Sequence, residues 1–512
     1  MCWPDAACRR KWDEHMLTRR DILLAAPTAL SAATAPIEID RGRQLFFDDL
    51  LVAETNLTRE WHTPEIHPAS PVLQPETPLE MNNGVRNVAC PFSDGVWYDP
   101  HDRLFRMWYN AGYAGIALAT SEDGIHWKRP AHDVENGTNR VLAPREGYAR
   151  DGVTVWLDLA AVPDQRYKMF GYYRRAGDTA VGEVYTSSDG VHWKGPRLTS
   201  ELSDNTCFYY DPFRKLWVWS IRPKESRRAR VRREHPDFLQ SIEWRPDEVL
   251  GPVMRPDAMD QPDPAIGDPA QLYHFTAIAY ESVMLGQFMI HFGPHNSVCA
   301  KGGFPKTTDM NIGFSRDGVN WMRSPRRPFI ASSRRPGSWN RGYVHNTGGV
   351  CLIVKDKLHF YFGAFSGISP ANPAGNMYAG GSTGLAVLRR DGFVSFGENG
   401  FLTTPQVRFT GNHLFVNAAA HRGELTAEVI DQRGFTHAEC IRVISDSSRA
   451  PVQWKSRADL SSLRGKPVRL RFHLRDARLY SFWISPDRSG ASYGYVAAGG
   501  PGFTGPIDTT GS

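Results

Sequence analysis

The sequence predicts an all-β chain, a five-bladed β-propeller followed by a C-terminal β-sandwich, and three observations predict it. A turn motif recurs: SEDGIHW at 121–127, SSDGVHW at 187–193 and SRDGVNW at 315–321. The second interval is about twice the first, so a further copy is expected between 193 and 315. HPDFLQSIEW at 235–244 fills that place, and RRDGF at 389–393 is a degenerate fifth copy. Aromatic, alternating segments precede the copies, and beyond residue 396 this texture gives way to polar–apolar alternation without the turn.

The motif has a physical reading. Asp and Gly form a tight turn, because a short carboxylate bonds its own backbone and glycine takes a positive φ without cost. The Trp then packs beneath the turn in the next strand. The preceding strands are LFRMWY at 104–109, YKMFGYY at 167–173, LWVWSI at 216–221, SVMLGQFMIHF at 282–292 and LHFYFGAF at 358–365, with shorter ones at 96–98, 153–157 and 206–210. Three to four short strands per repeat, joined by Gly/Asp turns, make a propeller blade. A two-sheet sandwich does not explain a repeat of this length. The propeller is therefore expected over 37–399. LTAEV at 425–429 and VRLRFHL at 468–474 alternate strictly, as half-buried antiparallel strands do, and place a sandwich at 400–485. From 486 to 512 the chain is rich in Gly, Ser and Pro and reads as a disordered tail.

The first 36 residues read as an export signal. Arg19-Arg20 precedes an apolar stretch over 22–33, and Ala33-Thr34-Ala35 offers a small-x-small cleavage site. Met16 is a plausible true start for this twin-arginine pattern. An exported location, periplasmic or extracellular, follows as an expectation. An amphipathic N-terminal helix is the alternative. No later run of about 18 apolar residues is present, so no membrane span is expected.

A formal charge of +5 over 512 residues is weak and does not predict a nucleic-acid partner. One basic run exists, RPKESRRARVRR at 222–233. It is either a solvated loop or strand edge, or an anion or sugar-acid contact at the propeller mouth. The seven cysteines form no CxxC pair, so they predict neither a zinc site nor a disulfide framework. No metal or cofactor is called for, and the oligomeric state is left open.

The opening QLFFDDLLV, the repeated S-x-D-G-x-x-W turns and the C-terminal GKPVRLRFHLRDARLYSFWI together resemble the five-bladed glycoside hydrolase superfamily. The resemblance is to family 32, the invertase and levansucrase group, and family 43, the arabinanases and xylosidases, and covers roughly residues 37–485. It implies a glycosidase with a carbohydrate substrate and carboxylates on the inner strands around the axis. Glycosidic cleavage needs one carboxylic acid to protonate the leaving oxygen and one carboxylate to attack or to activate water. A third group orients the substrate and shifts the acid's pKa.

On that resemblance Asp94, in PFSDGVWYD, is the candidate nucleophile or base, although the family 32 Trp-Met-Asn-Asp-Pro-Asn box is missing. Arg150-Asp151 matches the Arg-Asp-Pro box with Gly152 in place of Pro, so Asp151 would bind sugar hydroxyls and stabilise the transition state. Asp204 holds the matching position of the third blade. Glu281, in AIAYESVMLGQF, matches the Glu-Cys box loosely and falls in the fourth blade. A Glu inside an apolar strand has a raised pKa through desolvation, which suits a general acid. The loop GSWNRGYVH at 337–345 offers Trp339 for sugar stacking, and Asn340, Arg341 and His345 for hydroxyls. Each site has a structural alternative: a plain Asp-Gly turn at Asp94, an Arg-paired Glu281, a packed Trp339.

Two other functions compete. A sialidase-like hydrolase would need six blades, an arginine cluster and a Tyr nucleophile. A non-catalytic carbohydrate-binding propeller would keep the fold without a working acid pair.

Overall fold

Five successive antiparallel units occupy residues 88–389 of the computed structural model, which describes residues 35–175, 181–223, 228–457 and 459–511. Blade 1 runs Val88–Asp99, Leu104–Ala111, Ile116–Ser121, Arg140–Leu142. Blade 2 runs Tyr148–Leu157, Tyr167–Arg175, Val181–Ser187, Lys194–Leu198. Blade 3 runs Cys207–Asp211, Leu216–Ile221, Arg230–His235, Leu250–Met254. Blade 4 has Gln271–Glu281, Val283–Gly293 and Thr307–Ser315, with an outer bridge from Met310 to Ile330. Blade 5 has Gly342–His345, Lys357–Phe365 and Gly381–Arg389, and takes its outer strand, Glu65–Ile66, from the N-terminal side. The ring closes where Gly381 and Ser382 of blade 5 pair with Val88 and Ala89 of blade 1.

The repeated turn is the device that joins blades. In three copies the Asp oxygen (Asp123, Asp189 or Asp317) accepts two backbone N–H bonds of 2.7–2.9 Å. The glycine that follows has φ near +70° to +76° and leaves room for the neighbouring blade. Trp108 of blade 1 donates its indole N–H to the Gly190 carbonyl of blade 2 at 2.9 Å, and Tyr361 of blade 5 donates to Gly124 of blade 1 at 2.6 Å. The fifth copy is different. Asp391 is buried and leads the chain out of the propeller into the second domain.

That domain is an eight-stranded sheet bent upon itself. Its long strands, Val394–Thr403 and Leu470–Ser485, pair along their length through a bulge at Glu398–Gly400, with Asp476 at φ 45°. His413–Ala419 and Glu424–Val429 flank Leu470–Ser485 on its later and earlier halves, and Phe472 and Phe482 meet inside at 5.2 Å.

Two boundaries differ from the sequence expectation. Residues 37–61, expected in the propeller, pair with the sandwich: Gln44–Leu45 on Leu470–Ser485, and Glu54–Thr55 and Thr58–Trp61 on Val394–Thr403. The tail after 485, expected to be disordered, is packed instead. Tyr495–Val496 adds a strand to the inner edge of blade 4, and Phe503 and Asp508 are buried. Small residues permit this tight course: a Cβ on Gly494 would stand 2.7 Å from Gly42 Cα. Cys90, Cys207, Cys299, Cys351 and Cys440 are buried free thiols. Among the described residues, no helix is long and apolar enough to cross a membrane. The export-signal reading falls on residues outside the described ones.

Candidate functional site

Two inner strands carry a β-bulge near the start of their pairing, and each bulge holds a carboxylate. Bulges free a side chain from the ladder and re-aim it. In blade 1 the register shifts between Cys90 and Gly95, and Asp94 lies within that shift. In blade 2 it shifts between Arg150 and Val153, which frees Asp151. Asp204 stands in the turn that enters the inner strand of blade 3.

Asp94 is fully buried (0% exposed). One oxygen is bound by the Arg150 guanidinium and the other accepts the Phe92 N–H at 2.6 Å. Burial pushes its carboxyl above the usual range, against the pull of Arg150 and the Phe92 N–H. Next to it, Ser93 Oγ stands 3.2 Å from His274 Nε2 and 3.3 Å from His345 Nδ1, so blades 1, 4 and 5 meet at the axis. Burial holds His345 down at about 3, which keeps it neutral. No group of three or more potential metal ligands occurs among the described residues.

Asp151 and Asp204 come together. Both bond the same nitrogen, Arg174 Nη2, with 2.8 Å to Asp204. Their oxygens therefore stand no further apart than two hydrogen-bond lengths, about 5–6 Å. Arg222 takes the second Asp204 oxygen. Arg174 itself is half exposed, at 52% of its side chain.

Around this pair is a cup of aromatic rings and cations. Lys306 Nζ donates to the Tyr273 hydroxyl at 2.7 Å and lies 4.5 Å from the ring centre of Tyr343 and 5.7 Å from that of Tyr378. Arg228 covers the Tyr273 ring at 4.0 Å, and Arg86 lies 5.7 Å from the rings of Tyr113 and Tyr378. Burial pushes the Tyr273 hydroxyl up, but Lys306 and Arg228 outweigh it and bring it down to about 8. Tyr273, Lys306 and Arg174 carried no motif in the sequence. Only the basic run at 222–233 pointed here, through Arg222, Arg228 and Arg230.

Glu281 is not in this cup. It ends the blade 4 inner strand, eight residues of extended chain beyond Tyr273, or roughly 26 Å. Its carboxylate bonds Arg390 at 3.1 Å, Ser492 Oγ at 2.7 Å and the Arg43 backbone N–H at 3.1 Å, all buried. Desolvation does raise its pKa, against Arg390 and Arg43. The strand delivers the residue to the propeller–sandwich junction, away from the cup. Trp339 packs against Phe362, with ring centres 5.8 Å apart, and Gly384 lies beneath its edge. Arg341 lies over Phe304 at 5.4 Å, and the Asn340 carbonyl accepts the Ser333 N–H, so this loop is braced by its own neighbours. Of its four candidates, only His345 reaches the axis.

A separate apolar cavity lies at the other end of the inner strands, lined by Trp97, Trp156, Tyr210, Ile278 and Phe503. It has none of the paired acids of the cup.

No family model and no curated protein matches the chain. Solved structures do. The chain is similar to an N-acetylgalactosamine deacetylase from F. plautii in complex with blood group B trisaccharide, at 12% identity and TM-score 0.38 over 69% of this chain and 95% of that one. A structure from the GH130 family of mannoside phosphorylases and β-1,2-mannoside hydrolases gives 14% and 0.41 over 66% and 97%. An exo-β-1,3-galactanase from Phanerochaete chrysosporium gives 10% and 0.34 over 83% and 99%.

Proposed function

We propose that this chain is a carbohydrate-active enzyme, a glycoside hydrolase working in the cup with Asp151 and Asp204 as its carboxyl pair. One observation carries the reading: two carboxylates, Asp151 of blade 2 and Asp204 of the turn into blade 3, share a single guanidinium nitrogen. Oxygens no more than about 5–6 Å apart suit the close pair of a nucleophile and an acid/base on opposite sides of one glycosidic bond, with net retention of configuration. Arg174 is exposed enough to swing aside when a sugar enters. With Arg174 aside, one carboxylate attacks the anomeric carbon while the other, in its acid form, gives a proton to the leaving oxygen. Asp94 acts through Arg150, which adjoins Asp151, and is a positioning residue.

The test is release of reducing sugar on a broad glycan panel, with product anomers read by NMR. Asp151→Asn and Asp204→Asn should each lower kcat by about a thousandfold or more, within the scale of acid–base and nucleophilic catalysis. Binding without cleavage by the wild type would favour the non-catalytic reading, in which Arg174 and Arg222 neutralise the acids permanently.

A second reading is favoured by Tyr273. A hydroxyl at about 8 beside Lys306 and Arg228 is the kind of nucleophile a sialidase-like hydrolase uses, here on five blades. Activity surviving Asp151→Asn but lost in Tyr273→Phe would select it. Export through the Arg19-Arg20 segment is part of the proposal, and a reporter fused after residue 36 tests it.

A further inference from the structure

Two cations at the cup are buried without an anionic partner among the described residues. Lys306 is 1% exposed, and its ammonium bonds only the neutral hydroxyl of Tyr273. Arg230 is 0% exposed and spends its guanidinium on the carbonyls of Asn205 and Tyr273. A buried charge costs several kcal/mol unless it is paired, and aromatic faces return only part of that. Such charges persist where a ligand completes them.

Unused hydrogen-bonding atoms surround the same place. Arg228 Nη1, Arg222 Nε and the Tyr113 hydroxyl are buried with no partner among the described residues. His291 is 6% exposed, lies tilted against Tyr273 with ring centres 5.3 Å apart, and has no partner on either ring nitrogen among the described residues. Burial, helped by Lys306 and Arg228, holds it neutral at about 3, so it offers one donor and one acceptor. These groups come from blades 1, 3 and 4, not from one loop. The rim repeats the imbalance. Arg86, Arg174, Arg222 and Arg228 accompany two carboxylates, Asp151 and Asp204, and those two are taken up by Arg174 and Arg222.

Neutral sugars need hydroxyl partners and an aromatic face, and the partly buried Tyr113 and Tyr378 provide such faces. They do not need buried cations without an anionic partner, such as Lys306 and Arg230. A guanidinium fork and an ammonium gathered about one ring, with Arg228 4.0 Å and Lys306 4.8 Å from the centre of Tyr273, match a carboxylate or a sulfate. We propose that the cup binds a sugar unit bearing a negative group, a carboxylate or a sulfate ester, with Lys306 and Arg228 as the principal contacts to that group. This rests on the cup being the carbohydrate site, and it narrows the substrate to acidic glycans. Arg222 links the two roles, since it holds Asp204 on one side and stands beside this anion position on the other.

The experiment is calorimetric titration of the full chain with three sets of oligosaccharides of equal length. One set carries uronic acids, one carries sulfate esters on neutral sugars, and one is neutral xylo-, arabino- and galacto-oligosaccharides. At least one charged set should bind ten times or more tighter than the neutral set, with affinity falling as salt is raised. Which charged set binds identifies the group. Lys306→Met and Arg228→Gln should each bring charged ligands down to the neutral level, while Lys306→Arg should retain most of the preference. Circular dichroism and a melting curve accompany each variant, and Arg228→Gln, at the half-buried rim, serves if Lys306→Met fails to fold. Equal or tighter binding of neutral ligands overturns the proposal, as does no binding of any charged set or a folded variant that keeps the preference. Charged ligands that bind but are never cleaved would sink the hydrolase reading and leave this one standing. Cleavage confined to neutral glycans would do the reverse.

Discussion

Replacing Lys306 by Met should return the Tyr273 hydroxyl from about 8 to above the ordinary tyrosine value of about 10. The reason is geometric. The hydroxyl is buried, and burial alone raises it; the ammonium at 2.7 Å and the Arg228 guanidinium over the ring are what lower it. A shift of about two pH units corresponds to on the order of 2–3 kcal/mol between the two protonation states. Ultraviolet difference titration near 295 nm reads tyrosinate directly. Eighteen tyrosines contribute, so the Tyr273→Phe curve is subtracted from the wild type. The difference should show one group titrating near pH 8 in the wild type and none below about pH 10 in Lys306→Met. Stability follows with a definite sign. Between pH 8 and 10 the unfolded chain keeps the proton that the folded chain has lost, so this group's contribution rises with pH across that window and is lost as pH falls through 8. The wild type should therefore gain Tm relative to Tyr273→Phe from pH 8 to 10. A wild-type difference curve with no tyrosinate below pH 9.5 would refute the reasoning.

Glu281→Gln should leave sugar cleavage intact in the folded fraction while lowering stability by about 3–5 kcal/mol, the usual cost of breaking a buried ion pair, as denaturant melts would show. Loss of activity without loss of stability would return Glu281 to the mechanism. Deleting residues after 485 removes Ser492 and Asp508 from the same network and a strand from blade 4; a fall in Tm of about 10 °C is expected, and an unchanged Tm would mean the tail does not hold the domains together. Gly190→Ala, whose Cβ would stand 2.6 Å from Trp108 Cζ2 at φ 75°, should cost about 2–4 kcal/mol, against about 1–2 for Gly137→Ala, which has the same φ and open space. Equal costs by chemical denaturation would show that the turn does not lock adjacent blades.

The sequence by itself determined the blade count and the turn. Asp123, Asp189 and Asp317 accept the backbone N–H groups two and three residues on, so the signal is complete within seven residues and survives without any knowledge of the ring. Alternation determined the second domain for the same reason. Tertiary structure decided everything that depends on which end of a strand faces the cup. Glu281 and Tyr273 share one strand, and nothing in its pattern says that the first residues line the cup and the last one lies at the sandwich. The Asp151–Arg174–Asp204 group is drawn from two strands of blade 2 and the turn into blade 3, and Lys306 meets Tyr273 across a sheet. The tail looked unstructured because its Gly, Ser and Pro make no periodic pattern. Those same small residues are what allow it to thread between Gly42, Glu281 and Ile353, where no larger side chain fits.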